Sequence, residues 1–556
     1  MISDNLIRLF ESSMKSNWDL PAFTDYNEKK TYTYGEVARE VARLHLLFRR
    51  IGFGKGDKLA LIGKNGSRWC ITYIATITYG GVIVPILQDF NPSDIKHIVN
   101  HSDARLLFVS DYLWENIYAD DLLYIEGIFA LGDFSCFHHS ENSPIGKAVA
   151  EWDNMFQEAY PNGFTPADVL YPTIPNSELA CISYTSGTTG FSKGVMLSAN
   201  ALAGNVHFGI KTHLLERGDR TLAFLPMAHA YGCAFDFLTS FCAGSHTTYL
   251  GKLPSPKVLL KAFAEVKPTL ILSVPLVIEK VYRKQIQPML EKKSMKWALN
   301  MPFLDNAVLT AINHKLTEAF GGEFKEVIIG GAPMNPEAEA FFKRIGFRFT
   351  VGYGMTECAP LISYTPWSEY KLNSVGKVLP LMEAKIMSND PQNEVGEILV
   401  RGENLMSGYY KNEEATRAVL DEEGWLHTGD MGTMDHDGTI YIRGRNKNML
   451  LGPSGQNIYP EEIEARINNM PFVMESLVLQ NADNKLVALV VPDFDAADEA
   501  KLNHTQLIEA MEENRKAVNE QTAAYENIVS IQLYPNEFEK TPKKSIKRYL
   551  YVNQMK

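Results

Sequence analysis

The stretch YTSGTTGFSKGV, Tyr184 to Val195, decides how the rest of the chain is read. Three glycines (Gly187, Gly190, Gly194), six hydroxyl residues and Lys193 are packed into it. Glycine lets backbone N–H groups turn toward an anion without steric cost. Runs of such N–H groups form anion-binding concavities. Thr185, Ser186, Thr188 and Thr189 add side-chain donors, and Lys193 adds a mobile positive charge. The chemistry is that of a phosphate cradle, fed by an apolar strand at Leu179 to Ile182. The order of parts is not that of G-x-x-x-x-G-K-[ST]. The fifth residue after Gly187 is Ser192, and Gly194 follows Lys193, so an ordinary P-loop nucleotidase is disfavoured. The bland alternative is a Gly/Ser/Thr connector without a ligand.

A chain of 556 residues is too long for one core, which predicts two or more domains. Lys and Arg number 54 against 66 Asp and Glu, a formal net charge of −12. That balance argues against nucleic acid as the main partner. It leaves room for a small anion in a local positive pocket. The six cysteines are scattered without a C-x-x-C pair, which suggests neither a zinc site nor a disulfide framework. The uncharged run Trp69 to Gln88 contains glycines and Pro85, and fits a buried helix followed by a strand better than a membrane span. No signal peptide is apparent, and a cytoplasmic location is expected.

Around the cradle the texture is α/β. Thr33 and Glu36 form a possible capping box before an apolar helical repeat at Val37, Val41, Leu44 and Phe48. Glycines 52, 54 and 56 then lead to a strand at Leu59 to Ile62. The same alternation predicts a helix over Lys257 to Val266 with a strand at Thr269 to Val274, and a strand at Glu326 to Ile329 with a helix at Asn335 to Ile345. Gly132 to Pro175 reads as a long surface excursion. After about Lys377 short strands and glycine turns predict a small β-rich subdomain. From about Asn448 a small unit begins, with Pro460, Glu461 and Glu462 starting a helix.

Five further segments carry candidate chemistry. FLPMAHAYG places His229 among apolar residues; alone, it is more often structural. VIIGGAPMN ends a strand in Gly330 and Gly331, where backbone can approach a ligand. In TVGYGMTECAP, Tyr353 lies between Gly352 and Gly354, with its ring face expected to be open to a base. Thr356 there offers a hydroxyl, and Glu357 a hard oxygen suited to Mg²⁺ beside phosphates. In GWLHTGDMG, Asp430 is an acceptor suited to ribose hydroxyls. Finally, Arg443, Arg445 and Lys447 gather cations at a probable boundary.

In this order and spacing the segments resemble the adenylate-forming (AMP-binding) superfamily of acyl-CoA synthetases, adenylation domains and luciferases. The resemblance covers most of the chain. It implies a large N-terminal domain at 1–444, with its β-rich subdomain at about 378–444. A hinge at 445–447 and a small mobile α+β domain at 448–556 would follow. It implies a two-step reaction: a carboxylate attacks the α-phosphate of ATP, releasing pyrophosphate, and a thiol, usually coenzyme A, then displaces AMP. By matching position, Thr185, Ser186, Gly187, Thr188, Thr189 and Lys193 hold phosphates. Tyr353 and Gly354 take the adenine, with Gly331, Ala332 and Pro333 beside it. Thr356 contacts phosphate, Glu357 holds Mg²⁺, Asp430 binds the ribose with Arg445 nearby, and His229 stands where the acyl carboxylate enters.

The chain departs from that pattern at its C-terminus. An ungapped match puts Ser545 on the position of a lysine that contacts the reacting groups, so Lys544 or Lys547 would have to substitute. LPMAHAYG, VPLVIEKVY and GGAPMNPEAEAFFK resemble long-chain fatty acyl-CoA synthetases more than acetate or aryl enzymes, which implies a fatty acid substrate. An acyl carrier protein in place of coenzyme A, and a catalytically weak nucleotide binder, remain as alternatives. No transmembrane segment is expected, and peripheral membrane contact is compatible with the sequence.

Overall fold

Thr33 starts the first long helix as its sequence directs. Its hydroxyl accepts from the Glu36 backbone N–H, and the Glu36 carboxylate accepts from the Thr33 N–H at 2.7 Å, closing a capping box on the helix Tyr34–Ile51. Such a cap stabilises by about 1 kcal/mol. Gly52 then ends the helix in the left-handed region at φ 69°. The computed structural model describes the chain apart from residues 1, 116, 118, 142, 186–191, 291, 302–303, 453–455, 542–544 and 553–556, and apart from the side chains of 284 and 285.

Two large sheets carry the N-terminal part. One has eight strands, in the order Gly408–Tyr409, Lys193–Ser198, Leu179–Thr185, Val82–Ile86, Lys58–Ile62, Ala104–Val109, Gly127–Ala130 and Cys136–His139. Its middle strands are parallel, and the phosphate-loop hairpin is antiparallel. Side chains alternate between the faces. Leu59 and Leu61 join one core cluster, while Ala60 and Ile62 join another on the opposite face. The other sheet has seven strands, in the order Phe349–Val351, Glu326–Ile329, Leu270–Ser273, Arg220–Ala223, His246–Tyr249, Pro21–Asp25 and Lys30–Thr33. Its strands are parallel except for the last pair. Ligands in such sheets gather at the carboxyl ends of the strands, where the VIIGGAPMN and TVGYGMTE turns lie.

The run Trp69 to Gln88 resolves into the helix Ser67–Tyr79 and the strand Val82–Ile86. No helix among the described residues is long and apolar enough to cross a membrane. The segment Gly132 to Pro175 is not a surface excursion. It supplies the edge strand Cys136–His139 and the helices Ile145–Ala150 and Trp152–Ala159. Ile145, Ala148, Trp152, Phe164, Val169, Tyr171 and Ile174 enter the main core. The polar residues that suggested a loop sit between these anchors, and burial of the anchors decides the outcome.

A four-stranded antiparallel sheet, Met382–Ile386, Gly396–Gly402, Leu426–Met434 and Ile440–Arg445, follows. The chain then passes through the short turn Asn446–Asn448 into a smaller α+β unit. There the sheet Val473–Gln480, Leu486–Pro492, Ile528–Leu533 packs Val478, Ala488 and Val490 against the helices Pro460–Ile467 and His504–Asn519. Leu477, Leu479 and Val491 turn to the other face, with Phe538 and Tyr551. The unit touches the larger one through Arg283, whose guanidinium donates to the Asn468 carbonyl at 2.6 Å.

Candidate active site

The phosphate-loop hairpin is held in register up to its ends. Thr185 and Lys193 are direct partners across the Leu179–Thr185 and Lys193–Ser198 strands. The predicted phosphate ligands Ser186, Gly187, Thr188 and Thr189 lie outside the described residues. Gly194 is demanded by packing, since a Cβ there would stand 2.9 Å from the Ile182 side chain and 3.1 Å from the Tyr184 ring. Below the hairpin, the Tyr184 hydroxyl meets His101 Nδ1 at 2.7 Å.

Lys193 and Glu357 meet through a residue that the sequence reading did not select. The Lys193 ammonium stands 4.8 Å over the ring centroid of Tyr409. The Tyr409 hydroxyl donates to Glu357 Oε1 at 3.0 Å. Tyr409 reaches this position because Gly408–Tyr409 pairs with the hairpin strand, Tyr409 opposite Val195. The backbone of Glu357 is fixed in turn, its carbonyl accepting from the Met406 N–H at 2.8 Å. Glu357 follows Thr356 in the short turn Thr356–Cys358, and Thr356 is buried. The only local sign of Tyr409 was a glycine before two tyrosines at 408–410; the partners lie 52 and more than 200 residues away.

The residues expected to take the nucleoside are more tightly bonded. The Tyr353 hydroxyl donates to Asp430 Oδ2 at 2.6 Å, and Arg445 Nε donates to Asp430 Oδ1 at 2.8 Å. Asp430 and Arg445 are register partners on adjacent strands, so the sheet itself sets this pair. Asp430 is 3 % exposed, and burial pushes its carboxyl above the usual carboxylate range while Arg445 and Tyr353 pull it back. Burial, then the Asp430 charge, raises the Tyr353 phenol well above its ordinary value, so the proton stays on Tyr353. Lys447, just past the sheet, feels the same field. Burial and the neighbouring Arg445 lower its ammonium below the ordinary lysine value, against the pull of Asp430.

The expected open face of Tyr353 is corrected: the residue is only 7 % exposed. At its neighbour Gly354 a Cβ would stand 2.3 Å from the Pro360 carbonyl oxygen, so this turn has no room for a side chain there. Gly331, Ala332, Pro333 and Gly354 are exposed at this end. Gly331 holds φ 88°, a left-handed conformation that favours glycine. The turn is braced by Tyr231, whose hydroxyl donates to the Ile328 carbonyl at 2.9 Å. His229 is half-buried at the start of the short helix Ala230–Gly232, and its carbonyl accepts from the Cys233 N–H.

The structure does not bring the C-terminal cations to these groups. Lys544 lies outside the described residues. Lys547 pairs with Glu539 at 3.5 Å, its only ion pair among the described residues. The Ser545 carbonyl accepts from the Thr541 N–H at 2.8 Å. Arg548 is committed to the buried Glu464. A Mg²⁺ ion fits Glu357 in the way this metal usually binds, through one carboxylate with phosphates and water completing the shell. No cluster of three acidic, His or Cys side chains that would build an all-protein metal site occurs among the described residues.

Residues 10–410 match the AMP-binding enzyme family, and residues 448–556 match the AMP-binding enzyme C-terminal domain. The chain belongs to the AMP-binding enzyme family.

Among the relatives of this AMP-binding enzyme is long-chain-fatty-acid–CoA ligase FadD15 of Mycobacterium bovis, 26 % identical over 84 % of this chain and 78 % of that protein. Another is the peroxisomal long chain acyl-CoA synthetase 7 of Arabidopsis thaliana, 30 % identical over 85 % of this chain and 71 % of that protein. The fold matches ATP-bound MatB from Rhodopseudomonas palustris with a TM-score of 0.76 at 22 % identity, covering 99 % of each chain. It also matches the anthranilate CoA ligase AuaEII in complex with anthranoyl-AMP, with a TM-score of 0.80 at 18 % identity over 99 % of this chain and 97 % of that one.

Proposed function

We propose that this AMP-binding enzyme is an ATP-dependent, AMP-forming fatty acid–CoA ligase. The observation that carries the reading is the joining of Lys193 and Glu357 by Tyr409, with Tyr353, Asp430 and Arg445 forming a second bonded group on neighbouring turns. The first set suits phosphates and Mg²⁺, and the second suits a ribose. The names of the relatives support a fatty acid and coenzyme A as the other substrates. The six free cysteines suit a reducing compartment, in keeping with a cytoplasmic location.

In the first half-reaction the carboxylate oxygen attacks the α-phosphorus. Negative charge builds on the departing pyrophosphate. Lys193 and the hydroxyls of the hairpin loop, Thr185 through Thr189, neutralise that charge. Glu357 would hold a Mg²⁺ ion, which would supply Lewis-acid stabilisation to the phosphate oxygens. Thr356 donates to the α-phosphate, and Asp430 accepts from the ribose hydroxyls with Arg445 holding the carboxylate in place. The adenine lies along Gly331, Ala332, Pro333 and Gly354, touching what remains open of Tyr353. His229 orients the acyl carboxylate. Residues 445–447 act as the hinge about which the domain at 448–556 turns between half-reactions, bringing Lys544 or Lys547 toward the reacting groups.

The acyl chain needs an apolar space beside His229. The apolar gap there, lined by Tyr73, Pro85, Cys181, Leu197, Cys233 and Leu238, measures about 10 Å³. That is space for one water and not for an alkyl chain. Movement of the helix Cys233–Thr239 would open it. The commitments of Lys547 and Ser545 favour a second reading, a nucleotide binder with a slow first half-reaction. Incubation with ATP, Mg²⁺, coenzyme A and fatty acids of increasing length separates the two. The ligase releases AMP and an acyl thioester, whereas the weak binder retains nucleotide and releases neither. Thioester formed only on a carrier-protein phosphopantetheine would replace coenzyme A as acceptor.

A further inference from the structure

The charge of the chain is unevenly placed. Against an overall balance of −12, residues 252–300 hold ten Lys and Arg and three Asp and Glu. The helix Lys293–Leu299 lies within this stretch and packs against the helix Leu304–Ala319. Its inward positions, Met295, Ala298 and Leu299, are half-buried. The opposite positions, Lys293, Lys296, Trp297 and Asn300, recur at the spacing of one helical face and are exposed. Trp297 is 61 % exposed, and Met301 and Leu304 continue the apolar surface beyond the end of the helix. Lys292, Lys293 and Lys296 form no ion pair among the described residues, although their chain is rich in carboxylates. Trp297 with Met301 and Leu304 forms an apolar patch rimmed by lysines, the arrangement that marks an interaction surface.

We propose that this face, Lys292, Lys293, Lys296 and Trp297 with Met301 and Leu304, docks the protein on an anionic lipid bilayer. Tryptophan favours the boundary between headgroups and acyl chains. Lysines near an anionic leaflet are drawn to it, and the aliphatic side chains of Met301 and Leu304 add apolar area that can enter the headgroup layer. A nucleic acid would satisfy the charges but not these aliphatic side chains. The chain links the face to the candidate site: the helix Pro275–Val281 opens the run that leads to it, and a Cβ at Gly331 would stand 3.9 Å from the Val274 side chain just before that helix. Binding is independent of the ligase reading, so either can fail alone.

The test is co-sedimentation of the full chain with vesicles of phosphatidylcholine alone, or of phosphatidylcholine and phosphatidylglycerol in equal parts, at low and high salt. The protein is expected to bind the phosphatidylglycerol vesicles and to release at high salt. Reversal of three lysines in K292E/K293E/K296E should lower the partition coefficient by about a hundredfold. On binding, tryptophan emission should shift to the blue, and the shift should vanish in Trp297→Phe, which keeps an aromatic ring for insertion. Circular dichroism and ATP–pyrophosphate exchange in solution report that the variants are folded. Equal sedimentation with both vesicle types, or of wild type and the triple variant, would overturn the proposal. So would binding of a single-stranded oligonucleotide, abolished by K292E/K293E/K296E, with no binding to vesicles.

Discussion

The nucleoside side of the site and its phosphate side are held in opposite ways. At Asp430 both carboxylate oxygens are spoken for, one by Tyr353 and one by Arg445, and the group is buried. Among the described residues, Glu357 takes one tyrosine hydroxyl on one oxygen, and Lys193 rests over that ring without an ion pair. The first side is bonded in advance and orients. The second keeps charge available for the groups whose own charge changes during the reaction. Preorganised donors are most valuable where transition-state charge develops, so the less bonded side should dominate the rate.

Substitutions at four positions would break or sharpen that contrast. The largest effect is expected from Glu357→Gln. It should cut kcat/KM for adenylation by about 10²–10³, the scale of a lost transition-state contact, with an unchanged melting temperature. A comparable loss in Asp430→Asn would mean that the two sides are equivalent.

Tyr409 comes next, and two variants divide its role. Tyr409→Phe keeps the ring under Lys193 and loses the hydroxyl on Glu357, and about a tenfold loss of kcat is expected. Tyr409→Leu removes both, with an expected loss of about a hundredfold. The Phe variant should demand more Mg²⁺ for half-maximal rate, and the Leu variant should in addition bind pyrophosphate less well. Equal losses in the two variants would leave the cation–ring contact without a role.

For Asp430→Asn the expected change is about a tenfold rise in the KM for ATP, with little change in kcat. The pH dependence follows from its environment. Burial raises the Asp430 pKa, so on acidification this carboxylate takes up a proton before an ordinary aspartate would. In the wild type the KM for ATP should rise as pH falls toward that value; in Asp430→Asn it should be high and flat.

The smallest effect concerns the boundary with the smaller domain. Asn448 donates to Glu461 at 2.6 Å. Asn448→Asp would set two carboxylates against each other and weaken this arrangement by about 1 kcal/mol. Limited proteolysis at the turn Asn446–Asn448 should be faster in the variant.

What could be read beforehand divides along physical lines. The capping box at Thr33, the strand at Glu326–Ile329 and the helix from Pro460 obey local rules, and they stand as the residue pattern predicts. Local polarity misled over 132–175, because Trp152 and Tyr171 are paid for by core contacts with distant segments. Within the site, Asp430, Arg445, Lys193 and Glu357 could be picked out as charged or polar residues beside glycine turns. Tyr409 could not, since its value lies in strand pairing with Val195 and in partners far along the chain. The burial of Tyr353 was equally hidden, because it goes with its place in the main core and with a hydroxyl contact made across 77 residues.

The central claim, that these residues form an acyl-adenylate, is tested most directly by exchange of labelled pyrophosphate into ATP in the presence of fatty acids of graded length, without coenzyme A. The account predicts exchange that depends on Mg²⁺ and on the acid, and that nearly disappears in Glu357→Gln. No exchange with any acid, or cleavage of ATP to ADP, would contradict it.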